Sequence, residues 1–158
     1  MKKIFILSVL FCINITIFGQ ATKDKAYWNQ MADGMVQALI KNFWGANFEG
    51  YADRYYFNYG SNLSDMSTHH YWPQAHAMDV LVDAYMRTSN PQYKEFYPLW
   101  WIGAPKFNNG PKQEDPWWNP FVDDMEWIAL AQIRMFESCG NKKYSASGSG
   151  CNCRICNC

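Results

Sequence analysis

Pro116-Trp117-Trp118-Asn119-Pro120-Phe121-Val122-Asp123-Asp124-Met125-Glu126-Trp127 is the stretch that decides how the rest of the chain is read. Two neighbouring carboxylates stand where a loop rich in Pro and Trp gives way to a strongly apolar run reaching Phe136. Consecutive Cα atoms lie about 3.8 Å apart, and one helical step turns the side chain by about 100°. At a helix start both carboxyls can therefore flank one reacting carbon, whereas on a strand they would point to opposite faces. That geometry suits a retaining glycosidase, whose nucleophile and acid/base carboxyls stand about 5–5.5 Å apart. The same residues also make a good helix start: with Asp123 as N-cap, Glu126 falls at the capping-box position. Capping needs only one Asp and leaves the second unexplained.

Composition agrees with a sugar site. The 158 residues make room for one domain, and the net charge of zero offers nothing to a nucleic acid or an anionic membrane surface. Aromatic residues reach 18%, with eight Trp, more than a core of this size needs. Surplus Trp and Tyr fit a cleft in which rings stack on the apolar faces of sugars; the alternative is an unusually aromatic helical core.

Met1-Lys2-Lys3 followed by an apolar run up to Phe18 reads as a secretory signal peptide covering residues 1–21. Gly19-Gln20-Ala21 supplies the small-residue cleavage site, and the apolar run is short for a membrane span. Cys12, preceded by Phe11, does not look like a lipid-attachment site. The mature protein is expected outside the cytoplasm, with no membrane span, and as a monomer.

The body of the chain, residues 22–144, reads as all-α. A first helix is expected over 23–43, where Trp28, Met31, Ala32, Met35, Leu39 and Phe43 recur at helical steps. Residues 46–71 carry Gly, Asn and Ser between tyrosines and read as a long aromatic loop. A second helix spans 73–88, with Pro73 at its first position and Ala75, Met78, Val82, Tyr85 and Met86 on its buried side. A third follows the Asn90-Pro91 cap and is expected to kink or end at Pro98, leaving 103–120 as a second loop. A fourth, from Asp123 to about residue 138, is apolar on nearly every face and so is expected to be buried on all sides. No run alternates with a strand's period.

The tail, residues 145–158, is discordant: Ser and Gly, then Cys151, Cys153, Cys156 and Cys158 in a C-x-C-x2-C-x-C pattern. The spacing matches no common zinc site, and exported cysteines oxidise. A read-through in a shifted frame accounts for the change in composition, and translating the gene past codon 144 in the other two frames tests it. Metal and cofactor sites are not expected. His69, His70 and His76 have no metal-motif spacing. Asp65, beside Asn62 and Ser64, reads as a turn, and Asp79 and Asp83 as a polar helix face.

Phe121-Val122-Asp123-Asp124-Met125-Glu126-Trp127-Ile128-Ala129-Leu130-Ala131 closely resembles the catalytic segment of glycoside hydrolase family 76, the endo-α-1,6-mannanases. Tyr71-Trp72-Pro73-Gln74-Ala75-His76-Ala77-Met78-Asp79 looks like that family's second-helix region. The resemblance covers residues 26–144 and implies an (α/α)6 barrel, twelve helices in two rings, of which this chain would supply the first four. It implies Asp123 as nucleophile and Asp124 as acid/base on an α-1,6-mannan substrate. Trp72, His76, Trp117 and Trp118 are candidate substrate contacts, with a hydrogen-bonded barrel residue as the alternative for His76. For Trp117 and Trp118, packing beneath the loop is the alternative. Twelve helices with their connections need on the order of 200 residues, so the chain is expected to behave as an amino-terminal fragment, poorly stable and inactive alone. Another (α/α)6 hydrolase or lyase, or a non-catalytic glycan-binding fragment, would share much of the pattern.

Overall fold

The computed structural model describes residues 23–58, 72–107 and 116–145. The signal peptide at 1–21, most of the tail at 145–158, and His69, His70, Asp65, Asn62 and Ser64 lie outside the described residues. Four α-helices carry the fold: α1 (Lys25–Phe43), α2 (Trp72–Thr88), α3 (Phe96–Phe107) and α4 (Val122–Cys139). The described residues contain no strand, only an isolated antiparallel bridge between Trp44 and Phe57. None of their helices is long and apolar enough to cross a membrane.

Local chemistry sets most of the ends. Asp24 caps α1, its carboxylate accepting the Tyr27 N–H at 2.8 Å. Asn90 starts a 3-10 turn, Pro91–Glu95, by accepting the Gln92 N–H at 3.0 Å, and α3 follows directly. Pro98 falls in the first turn of α3, where its missing N–H has no helical partner to lose. The helix therefore does not end there. It continues through Gly103 and Pro105 to Phe107, so the second loop begins later than the sequence suggests. Gly140, in the left-handed region at φ 70°, closes α4 and donates its N–H to the Phe136 carbonyl at 2.7 Å.

Side-chain contacts give the helix directions. Asp33 meets Arg87 at one end of α1 and α2, while Leu39 and Phe43 face Pro73 and Ala77 at the other, so these two run antiparallel. Tyr97, near the start of α3, bonds Ser138 near the end of α4 at 3.1 Å. Trp100 and Trp101, further along α3, pack on Trp117 just before α4, so this pair is antiparallel as well. His76 meets Trp127, and further along both helices Asp79 and Asp83 meet Arg134. Hence α2 and α4 lie side by side and parallel, and theirs is the most extensive helix contact.

The core gathers around that pair. Ala75, Met78, Leu81 and Val82 of α2 are fully buried, with Ile128, Ala131 and Met135 of α4 almost so. Buried Gln74 grips the 54–58 segment from inside: its Oε1 accepts the Phe57 N–H at 3.0 Å and its Nε2 donates to the Phe57 carbonyl at 2.5 Å.

Three expectations need correction. Helix α4 is not buried on all sides. It buries the face of Asp124, Ile128, Ala131, Gln132 and Met135, which packs mainly against α2, and leaves Trp127 and Leu130 exposed. On α1 the buried residue is Val36, half-covered Leu39 and Ile40 pack beside it, and Trp28, Met31 and Met35 face outward. On α2, Met86 is exposed, while the polar face of Asp79 and Asp83 holds Arg134.

Candidate functional site

The start of α4 settles how the two aspartates are used locally. The N-cap is Phe121, in extended backbone, whose side chain makes no capping hydrogen bond. Asn119 instead accepts the Phe121 N–H at 2.8 Å, which shapes the approach to the helix. The helix begins at Val122, so Asp123 and Asp124 are both helical residues of its first turn, and the capping-box expectation for Asp123 and Glu126 fails. Both carboxylates sit at the positive end of the α4 dipole, which favours their charge.

The helical step separates their surroundings. Asp124 is 5% exposed and belongs to the buried face with Ile128 and Gln132, whereas Asp123 points to solvent. Two carboxylates in unlike environments are the general condition for one acid and one base or nucleophile.

One helical turn beyond Asp123, on the same side of α4, stands Trp127, 42% exposed. Its ring lies 4.9 Å from the imidazole of His76 on α2, which lies 5.4 Å from the ring of Trp72, also 42% exposed. The parallel course of α2 and α4 puts both N-terminal ends on one side of the molecule. Asp123, Asp124, His76 and Trp72 are thus collected at one end of the fold. Trp127, which sequence reasoning assigned to the core, belongs with them; its four-residue offset from Asp123 was the available signal.

Trp117 is elsewhere. It is 3% exposed and packs on Trp100 at 5.5 Å and Trp101 at 5.0 Å, so it takes the packing role, against α3. Trp118 is half-buried and Asn119 buried.

Two hollows among the described residues lie between α1 and α2. One of about 200 Å³ is lined by Leu39, Phe43, Phe57, Asn58, Pro73 and Ala77. The other, of about 240 Å³, includes Met35, Val80, Asp83 and Arg87. Neither is lined by an aspartate of the pair. No group of three or more His, Cys, Asp or Glu side chains among the described residues could hold a metal ion.

Comparison with protein-family models, with curated proteins and with solved structures found no match to this chain.

Proposed function

We propose that this chain carries the acid pair of an exported retaining glycoside hydrolase acting on α-1,6-linked mannan, set on the first four helices of an (α/α)6-type arrangement. The observation that carries this reading is the pair itself: two adjacent carboxylates in the first turn of α4, one buried and one exposed. The alternating directions of the helices support it, since α2 and α4 stand parallel as neighbours in an inner ring would, each with an antiparallel partner beside it.

In this scheme an Asp123 oxygen attacks the anomeric carbon as the glycosidic C–O bond breaks, and Asp124 gives its proton to the leaving oxygen. Asp124 then takes a proton from water, the water oxygen bonds to the anomeric carbon, and the ester to Asp123 breaks. The four described helices surround the pair only in part, and turnover on polymer by them alone is expected to be slow or nil.

A single-turnover experiment avoids that limit. α-1,6-Mannobiosyl fluoride has a leaving group that needs no acid, so Asp124→Asn should accept the sugar and fail to release it. Intact-mass and peptide spectra are expected to show one mannobiosyl unit esterified to Asp123. No adduct, or the same adduct in the Asp123→Asn, Asp124→Asn double variant, sinks the proposal.

A further inference from the structure

The row of rings that runs from α4 to α2 has a geometry of its own. His76 touches Trp127 at an interplanar angle of 52° and Trp72 at 71°. Neither contact is a stack, so the imidazole meets the indoles obliquely and leaves ring face uncovered. The two indoles are large apolar surfaces that folding leaves 42% exposed, on residues that could have been polar. Each also carries an N–H donor, and His76 adds ring nitrogens between them.

Charge narrows the occupant. The acids next to the row are Asp123 and Glu126, both exposed. The cations of α2 and α4 are engaged elsewhere: Arg134 holds Asp79 at 2.7 Å and also Asp83, and Arg87 holds Asp33 at 2.5 Å. Among the described residues, an anionic ligand, whether nucleic acid or uronate, would meet carboxylates with no free arginine of α2 or α4 to compensate them. A neutral pyranose chain meets flat apolar rings, several donors, and carboxylates that accept from hydroxyls.

From this geometry we infer that Trp127, His76 and Trp72 form a glycan-stacking row, on which a neutral oligosaccharide lies across α4 and α2 with one end at Asp123. The inference rests on the glycosidase reading for the identity of the sugar, but its test stands apart from the chemistry. Trp127 and Trp72 supply the stacking faces, and His76 holds the two indoles apart and bonds hydroxyls.

The probe is α-1,6-mannotetraose, titrated into the full chain and followed by the indole N–H resonances of Trp72 and Trp127. Both resonances should shift on one binding curve, while that of buried Trp100 stays in place. Trp127→Ala and Trp72→Ala should each weaken binding about ten-fold or more, with Trp127→Phe recovering part of it. Tetragalacturonate should bind far more weakly than the neutral probe. Equal affinity for wild type and both alanine variants, or preference for the uronate, overturns the row. The wild-type titration decides the matter even if an alanine variant does not fold. A mannobiosyl adduct on Asp123 with no effect at the tryptophans would remove the row and keep the chemistry. Ring-dependent binding with no adduct would do the reverse.

Discussion

Two glycines inside helices give opposite expectations for the same substitution. Gly103 lies within α3, and a Cβ built there would fall far inside contact distance of the Tyr55 carbonyl, with Tyr55 Cα at 2.9 Å. All of these are backbone atoms, so no rotamer can relieve the clash. The 54–58 segment cannot easily retreat either. Gly45 donates its N–H to the Tyr56 carbonyl at 2.9 Å, and Gln74 holds both polar groups of Phe57. Overpacking costs about 1–3 kcal/mol, and a backbone-on-backbone clash belongs at the upper end. Alanine's better helix propensity returns about 1 kcal/mol, so Gly103→Ala should lose about 2 kcal/mol. Gly34, in the middle of α1, has nothing within 4 Å of its built Cβ. Gly34→Ala should therefore keep the propensity gain of up to about 1 kcal/mol. Urea unfolding followed by circular dichroism compares them. With an m-value of about 2 kcal/mol/M, the two midpoints should lie about 1.5 M apart on opposite sides of wild type. Midpoints displaced in the same direction would show that α3 does not press on the 54–58 segment as described.

The two buried glutamines should also respond oppositely. Gln74→Ala strips partners from a buried N–H and a buried carbonyl and should cost about 2–4 kcal/mol, whereas Gln132, whose buried Nε2 has no partner among the described residues, should tolerate Met at no loss or with a gain of up to about 1 kcal/mol. Urea midpoints of both variants check this. Burial pushes the Tyr97 hydroxyl up to about 12, and burial also raises Tyr56 and Tyr144. Between pH 10 and pH 12 the unfolded chain gives up the Tyr97 proton that the folded chain keeps. Stability present below pH 10 should therefore fall across that window, and less steeply in Tyr97→Phe; thermal melts at pH 9, 10 and 11 read the slope.

Elements with a local cause were legible in the sequence. The α2 span, the Asn90 cap and the all-helical class follow from periodicity and capping chemistry, which act within a few residues. The failures came from partners far along the chain. Nothing near Pro98 or Gly103 tells that α3 will run on past the proline and lie flat against Tyr55. The α1 stripe was placed one step off because Trp28 and Met35 are as apolar as Val36, and only the position of α2 decides which face is covered. The hydrophobic run of α4 marks the helix but not its exposure. Trp127 was assigned to the core for being a tryptophan in an apolar run, and His76 across the helix boundary is what shows otherwise.

The start of α4 bears most directly on the acid pair. A helix selected for stability alone would carry Ser, Thr, Asp or Asn at the N-cap, a choice worth about 1 kcal/mol. Here Phe121 occupies it, exposed, and the aspartates arrive two and three residues later. For exposed Asp123 the helix dipole contributes about 0.3–1 kcal/mol, while Asp124 is buried and engaged. A helix start that forgoes the usual polar N-cap, as at Phe121, is where a site is expected. The two structural accounts of Asp123 differ in their response to salt. A dipole interaction at an exposed carboxylate is screened when the Debye length falls to about 3 Å near 1 M salt, whereas a capping hydrogen bond persists. Asp123→Ala should therefore lower the melting temperature slightly at low salt and hardly at all in 1 M NaCl. A loss that survives high salt undiminished would make Asp123 a cap after all, and would leave Asp124 as a single carboxylate with no partner for two-step glycoside chemistry.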